Sequence, residues 1–283
     1  MSASPGEGGS RPLLTPRDIR CLLDEHGLAP RKARGQNFVV DANTVRKVVR
    51  DAGVAPGDLV CEIGPGLGSL TRALRAAGAR VVALEIDPGL VRALGVVVGD
   101  DPHVRVVHGD AMTADLAALV DGGPAVLVAN LPYNIATPLA MRALRSDAFS
   151  RLLVMVQREV GERWAATVGQ AQYGAVSVKM AALADVGVVG RVSRGAFYPV
   201  PNVDSVTVRL LPHPWAHPVD RATLFGLVEA GFSQRRKRLR NALSSEHLPA
   251  DVEAALTRAG LDAGARAEEL DLPAWLRLAA ALS

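Results

Sequence analysis

Five short apolar segments alternate with helix-like segments between residues 59 and 157, and this alternation limits the folds open to the chain. The predicted strands are "LVCEI" (59–63), "RVVALEI" (80–86), "VRVVHG" (104–109), "AVLVAN" (125–130) and "RLLVMVQ" (151–157). The predicted helices within and next to this part lie at 42–52, 68–77, 88–98, 138–146 and around 171–183. Apolar strands separated by helices form parallel βαβ units with helices on both faces of the sheet. We therefore expect an α/β fold.

Two further strands and a run of helices follow this region. The strands are predicted near 186–192 and at 204–211, and the proline-rich segment between them is too short for a crossover helix, which favours an antiparallel hairpin at the sheet edge. Beyond the proline-punctuated stretch 211–220 the pattern is helical. We predict three regions: a disordered leader at 1–20, a sheet-containing domain at 21–212 and a small all-helical C-terminal domain at 213–283.

Hydropathy and cysteine content indicate the cellular compartment that we expect for the protein. No apolar run approaches the ~20 residues of a membrane span, and the N-terminal segment lacks the apolar region of a secretory signal. The two cysteines, Cys21 and Cys61, lie in unrelated contexts and suggest no disulfide framework. We expect a cytoplasmic monomer.

Two separated basic segments, "RKARGQNF" and "SQRRKRLRNAL", are compatible with a nucleic-acid footprint. If the second segment is helical, Arg236 and Arg240 share a face while Leu239 and Leu243 form an apolar stripe. The alternatives are solvated faces, or ion pairs between these arginines and acids of the C-terminal domain. The candidate RNA-binding residues are Arg31, Lys32, Arg34, Arg235, Arg236, Lys237 and Arg240.

The first strand-to-helix turn, "CEIGPGLGSLT", indicates a class of cofactor. Gly64, Gly66 and Gly68 let the backbone pass close to a ligand. A glycine-rich turn also occurs in nicotinamide dehydrogenases, so the turn alone is weak evidence. Glu62, just before it, would repel a pyrophosphate but tolerate a cation. S-adenosylmethionine carries a sulfonium and an ammonium group and no phosphate.

Acidic residues at the next two strand ends extend this prediction. Glu85, about twenty positions after the glycines, can accept both ribose hydroxyls. Asp110, in "HGDAM", could accept from the adenine amino group, although a helix N-cap is an alternative role. The glycines and both acids on successive strand ends favour a methyltransferase.

The fourth strand ends in "NLPYNIATP", which fits methylation of an amine. The Asn130 side-chain oxygen and the Leu131 carbonyl could hold the two hydrogens of an adenine amino group and aim its lone pair at the methyl donor. Pro132 would stiffen the loop, and Tyr133 would stack on the extruded base.

Seven stretches between residue 35 and about residue 243 resemble the small-subunit rRNA adenine dimethyltransferases and occur in the same order along the chain. They are "GQNFVVD", "EIGPGLGSLT", "LEID", "GDA", "NLPYNIATP", "FYPVPNVDSVTVRL" and "FSQRRKRLRNAL". The resemblance implies a class I, Rossmann-like methyltransferase fold with a seven-stranded sheet and a helical C-terminal domain. It also implies dimethylation of two adjacent adenines in a hairpin near the 3′ end of 16S rRNA, within a 30S subunit or its precursor.

The family pattern also implies roles for individual residues. Phe197 matches a second aromatic that sandwiches the base, with a core aromatic as the alternative. Val39 stands where family members commonly have leucine, a change that a backbone contact would survive. The implied cofactor-binding residues are Asn37, Val39, Gly64, Gly66, Glu85, Asp110 and Asn130.

Three other functions stay open at this point. A macrolide-resistance methyltransferase acting on 23S rRNA would share the fold and the asparagine–proline–tyrosine loop. A nicotinamide dehydrogenase is disfavoured by Glu62, Asp110 and that loop. A ribosome-assembly factor, whose binding matters more than its catalysis, could coexist with the enzyme. We expect no metal centre, because His213 and His217 lack carboxylate or cysteine partners nearby.

Overall fold

Seven of the strands form one mixed sheet in the computed structural model, which describes residues 13–30, 36–132, 134–234, 237–244 and 247–282. The strands are β1 (Phe38–Val39), β2 (Leu59–Ile63), β3 (Arg80–Glu85), β4 (Val104–His108), β5 (Ala125–Asn130), β6 (Phe149–Gln157), β7 (Ala184–Val192), β8 (Phe197–Tyr198) and β9 (Ser205–Pro212). The sheet order is β4-β3-β2-β5-β6-β9-β7. Neighbouring strands pair in parallel across the first five positions, β4-β3-β2-β5-β6, and β9 runs antiparallel to β6. This arrangement confirms the predicted Rossmann-like α/β class with seven strands.

A short antiparallel ribbon lies outside the sheet. Strand β1 pairs with β8, with Phe38 opposite Tyr198 and Val39 opposite Phe197. Val39 and Phe197 are both buried in the apolar cluster that also contains residues of the central strands. The ribbon therefore fixes residues 36–39 beside the sheet.

Helices connect the strands and form the C-terminal part. They are α1 (Pro16–Glu25), α2 (Ala42–Asp51), α3 (Ser69–Ala76), α4 (Pro88–Val98), α5 (Leu116–Leu119), α6 (Ala136–Leu144), α7 (Arg158–Trp164), α8 (Ala175–Ala181), α9 (Arg221–Ser233), α10 (Leu239–Ala242), α11 (Pro249–Arg258) and α12 (Leu272–Leu282). Local signals start several of them: Asp87 caps α4, and Pro88 occupies its first turn. In the described part of the chain, no helix combines the length and apolarity needed to cross a bilayer.

The chain divides into two compact units. The first contains the described residues up to Arg158 together with 189–210, and the second contains 159–188 and the described residues from 211 onward. The predicted division at 212–213 placed 159–188 in the first domain. Those residues group with the second unit because Val178 of α8 is buried in the same cluster as Leu224 and Trp275.

The predicted leader, 1–20, overlaps a helix. Helix α1 begins at Pro16, where Thr15 and Asp18 form a reciprocal capping box. Its buried residues Ile19 and Leu23 pack in an apolar cluster with Phe38. The prediction of disorder is therefore wrong for the described residues after Leu14, and residues 1–12 lie outside the described part.

The predicted helix through "SQRRKRLRNAL" is also interrupted. Helix α9 ends at Ser233, and α10 begins only at Leu239 with Arg238 as an extended N-cap. The Leu239 amide donates to the Ala265 carbonyl instead of to a carbonyl one turn earlier. This tertiary hydrogen bond overrides the helical pattern. Leu239 and Leu243 are fully buried, as the predicted apolar stripe required.

Candidate active site

An open cavity lies at the carboxyl ends of β2, β3, β4 and β5. Ligands of open α/β sheets bind at this edge, where strand ends and helix starts leave a crevice. Every cofactor-binding residue predicted from the sequence lines the cavity. These residues are Asn37, Val39, Gly64, Gly66, Glu85, Asp110 and Asn130.

The glycine turn forms one wall of the cavity and depends on the absence of side chains. Gly64, Gly66 and Gly68 have φ angles of 70°, 58° and 87°, in the left-handed region that favours glycine. A Cβ atom on Gly66 would lie 2.9 Å from Cε1 of Phe38, which also lines the cavity. The turn therefore keeps a bare backbone next to the space for a ligand.

Glu85 at the end of β3 is held by backbone amides. Its Oε2 accepts from Gly66 N at 3.1 Å, and its Oε1 accepts from Asp87 N at 2.9 Å. The side chain is buried, and desolvation raises the pKa of its carboxyl despite these hydrogen bonds. Each oxygen of a carboxylate retains a further lone pair, so Glu85 can still accept from a diol.

Glu62 is the most buried carboxyl at this edge. It is 1% exposed and lines the cavity, and its Oε2 accepts from Thr71 Oγ1 at 2.6 Å. Burial raises its pKa to about 8, with the nearby Glu85 carboxyl adding to the effect. A buried carboxyl of this kind favours a cationic ligand, which would stabilise its ionised form.

Asp110 fixes a turn and does not cap a helix, because the N-cap of α5 is Asp115. Its Oδ1 accepts from Met112 N at 2.8 Å and so fixes the turn that follows β4. The residue also lines the cavity. Within the described residues, no hydrogen bond occupies its second carboxylate oxygen, which is left to accept from a ligand.

Asn130 is oriented by a residue far away in the sequence. Its Nδ2 donates to the Asn37 backbone carbonyl at 2.9 Å. Because a carbonyl can only accept, this contact directs the amide nitrogen toward Asn37. The side-chain oxygen of Asn130 has no hydrogen-bond partner among the described residues, as its predicted role as an acceptor requires.

Backbone hydrogen bonds hold the two described residues that directly follow Asn130. Leu131 is buried, and its amide donates to the Met155 carbonyl of β6 at 3.0 Å. Pro132 lines the cavity, and its carbonyl accepts from Ile135 N at 3.2 Å. Tyr133, predicted to stack on the base, lies outside the described residues.

Phe197 is buried in the structure. It is 2% exposed and packs in the main apolar cluster with Val39. Burial in this cluster fits the core role given as the alternative, while the predicted role of Phe197 in sandwiching the base stays a prediction. Burial followed from long-range pairing with β1, which a local motif does not reveal.

The predicted RNA-binding residues are only partly described. Lys237 is exposed. Arg240 donates through Nη1 to Oε1 of Glu253 at 2.5 Å, an ion pair within the second unit. This pair matches the alternative in which an arginine of the segment binds an acid of the C-terminal domain. The remaining candidates, Arg31, Lys32, Arg34, Arg235 and Arg236, lie outside the described residues.

The apolar part of the cavity was not predicted from the sequence. Ile86 lines it and is 49% exposed, an unusual state for a large aliphatic side chain directly after a buried strand. Phe38 and Ile135 also contribute. The sequence signal available for Ile86 was its position directly after Glu85, the acidic residue that ends β3. These side chains suit the flat faces of a nucleoside.

Comparison with known proteins agrees with this geometry. Residues 28–283 match the family described as ribosomal RNA adenine dimethylase. The chain is 48% identical to a ribosomal RNA small subunit methyltransferase A of Thermobifida fusca, covering 94% of this chain and 95% of that protein. It is also 48% identical to the protein of that name in Streptomyces griseus, covering 94% of both chains.

Two solved structures show the same fold. A 23S rRNA methyltransferase, ErmE, is 29% identical with a TM-score of 0.67, and the match covers 87% of this chain and 99% of that one. A dimethyladenosine transferase from Plasmodium falciparum is 25% identical with a TM-score of 0.68, covering 85% and 95% of the two chains. The chain belongs to the ribosomal RNA adenine dimethylase family.

Proposed function

We propose that this enzyme dimethylates two adjacent adenines of 16S rRNA, in a hairpin near the 3′ end, within the 30S subunit or its precursor in the cytoplasm. The observation that carries the chemistry is the orientation of Asn130, whose amide nitrogen donates to Asn37 while its oxygen has no partner within the part of the chain that the structure describes. Relatives at 48% identity named for the small ribosomal subunit support the choice of rRNA.

The cavity fits S-adenosylmethionine. The bare Gly66 backbone accommodates close approach, Glu85 offers acceptors for a diol, and buried Glu62 suits a positive charge rather than a pyrophosphate. Asp110 would accept from the adenine amino group of the cofactor, and Asn37 and Val39 would border it. When bound, S-adenosylmethionine supplies the methyl group.

The protein's contribution to the reaction is positioning. The free Asn130 oxygen and the Leu131 carbonyl accept the two hydrogens of the target amino group, which turns the nitrogen lone pair toward the cofactor cavity. No strong base is required, because these acceptors act by orientation and electrostatics. Tyr133 would stack on the base that leaves the helix.

We propose that RNA phosphates bind Lys237 together with Arg31, Lys32, Arg34, Arg235 and Arg236. Arg240 is excluded from this set because its guanidinium forms an ion pair with Glu253. We also propose that the enzyme acts as a monomer and that the first unit is catalytic, with the helical unit contacting the ribosome.

The test is transfer of tritium from labelled S-adenosylmethionine to 30S and 50S particles from strains that lack the respective methylations. We expect labelled dimethyladenosine in 16S rRNA. Label confined to 23S rRNA would instead support the macrolide-resistance activity, which the similarity to ErmE makes the second candidate. Binding to 30S precursors without any transfer would leave the assembly-factor role.

Two substitutions test the assigned roles. Asn130→Ala should reduce turnover far more than cofactor affinity, because Asn130 acts on the nucleophile. Tyr133→Phe should keep most of the activity that Tyr133→Ala loses, since the ring face carries out the stacking. Equal loss in both tyrosine variants would show that the hydroxyl is essential and that stacking is not the role.

A further inference from the structure

Gln157 ends the strand next to the candidate catalytic loop and has no assigned role. Along the sheet edge, four residues at or near the carboxyl ends of β4, β3, β2 and β5 line the cavity in spatial order: Asp110, Glu85, Glu62 and Asn130. Gln157 is the last residue of β6, the next strand in this order, and is not among the cavity-lining residues. It therefore lies on the side of Asn130 away from the residues proposed to hold the cofactor.

The strand register places Gln157 on the same face as Asn130. Asn130 pairs with Met155, and the Leu131 amide donates to the Met155 carbonyl at 3.0 Å. Gln157 is two positions beyond Met155, so its side chain points to the same face, about 7 Å further along the strand. A glutamine side chain at that distance can reach a base whose amino group sits at Asn130.

The surroundings of Gln157 leave its amide available. Gln157 is half-buried, and its side chain makes no hydrogen bond to another described residue. Its partner directly across the ladder is Ser205, which is 2% exposed and whose Oγ also has no hydrogen-bond partner among the described residues. Directly opposed residues have Cβ atoms about 5 Å apart. The Ser205 hydroxyl can therefore donate to the Gln157 oxygen and turn the Gln157 amide nitrogen outward.

The reaction creates a need for such a donor. Before the first transfer, the target amino group has two hydrogens for Asn130 and Leu131. After it, the nitrogen carries one methyl group and has released one proton to solvent, so it retains one hydrogen and one of these two acceptors loses its partner. Ring nitrogen N1, bonded to the amino-bearing carbon, and N7, on the neighbouring ring carbon, are acceptors that methylation of the amino group does not remove.

We propose that Gln157 donates a hydrogen bond to a ring nitrogen of the target adenine and holds the base for the second methyl transfer. The proposal rests on the proposed function, adenine dimethylation, and assigns a substrate-positioning residue to it. Gln157 thereby distinguishes an enzyme that completes dimethylation from one that stops after one methyl.

The test compares Gln157→Leu and Gln157→Glu with the unaltered enzyme on undermethylated 30S particles. Both variants keep a side chain of similar size, and neither can donate at neutral pH. Nucleosides are separated by mass spectrometry at equal total methylation. We expect the ratio of monomethyladenosine to dimethyladenosine to rise ~10-fold in both, as loss of one hydrogen bond predicts. Ser205→Ala should raise it in the same direction by less.

Controls separate this role from a structural one. Gln172→Leu, at an exposed glutamine, should leave the ratio unchanged. S-adenosylmethionine affinity and melting temperature should stay at their unaltered values in the Gln157 variants. An unchanged product ratio in both variants, or a proportional loss of both transfers with a lower melting temperature, would overturn the proposal. If the unaltered enzyme itself yields no dimethyladenosine, the proposed function fails instead.

Discussion

Replacing Glu62 with glutamine tests whether the buried carboxyl recognises the positive charge of the cofactor. Burial raises the pKa of Glu62 to about 8 from an ordinary 4.5, so the carboxyl holds a proton at neutral pH when no cation is near. A sulfonium or ammonium group beside it stabilises the ionised form. Binding should therefore release a proton from Glu62. Glutamine keeps the size of the side chain and an oxygen for Thr71, but has no proton to release.

The same pKa has a consequence for stability without the cofactor. Between pH 4.5 and 8 the folded state holds a proton on Glu62 that the unfolded chain has released. The free energy of unfolding therefore decreases as pH rises through this window, with a slope approaching about 1.4 kcal/mol per pH unit. Below pH 4.5 both states are protonated and the destabilisation is absent. We expect the melting temperature of Glu62→Gln to fall less over this window.

Calorimetry in two buffers with different ionisation enthalpies measures the released proton. Near neutral pH we expect release approaching about one proton per S-adenosylmethionine in the unaltered enzyme and much less in Glu62→Gln. Affinity should fall ~10–100-fold, as for loss of a hydrogen bond to a charged group. Glu159→Gln is the control, since the Glu159 side chain is 75% exposed. Equal proton release in Glu62→Gln and the unaltered enzyme would refute the reasoning.

Three further substitutions follow from contacts in the structure. Glu85→Ala should weaken S-adenosylmethionine binding by about 1.5–3 kcal/mol in calorimetry; unchanged affinity would remove Glu85 from the site. Gly66→Ala should lower both affinity and melting temperature more than Gly57→Ala, because both have positive φ but only a Cβ on Gly66 meets another side chain; similar losses would point to backbone strain alone. Lys237→Ala should flatten the log–log salt dependence of 30S binding by roughly 0.7–0.9, whereas Arg240→Ala should leave the slope unchanged because Glu253 engages that guanidinium; the reverse pattern would return Arg240 to the RNA-binding surface.

Most of the sheet was predictable because its signals are local. Buried parallel strands must be apolar along their length, and glycine, proline or acidic residues mark where each ends. The strands at 59–63 and 125–130 were predicted at their observed ends. The membership of 159–188 in the second unit was not predictable, since it depends on which distant residues bury the apolar face of α8.

Helix α1 shows a local signal that composition concealed. The segment "TPRD" contains the N-cap, the proline of the first turn and the acid of a capping box. The surrounding glycine-, serine- and proline-rich sequence suggested disorder for all of 1–20. The gap between α9 and α10 is different, because the hydrogen bond from Leu239 to Ala265 that interrupts the helical pattern is invisible to any local rule.

The candidate site also contains features that local sequence predicts and features that depend on distant residues. The identities of Glu85, Asp110 and Asn130 could be inferred because parallel strands bring their carboxyl ends to one edge. The direction of the Asn130 amide could not, since it depends on a carbonyl 93 positions earlier in the chain. That carbonyl belongs to Asn37, which itself lines the cavity and directly precedes the β1–β8 ribbon. One hydrogen bond therefore joins Asn37, proposed to border the cofactor, to Asn130, proposed to receive the substrate amine. A shift of residues 36–39 would release the Asn130 amide and lose its orientation, so the ribbon contributes to the proposed catalytic geometry together with the loop that carries Asn130.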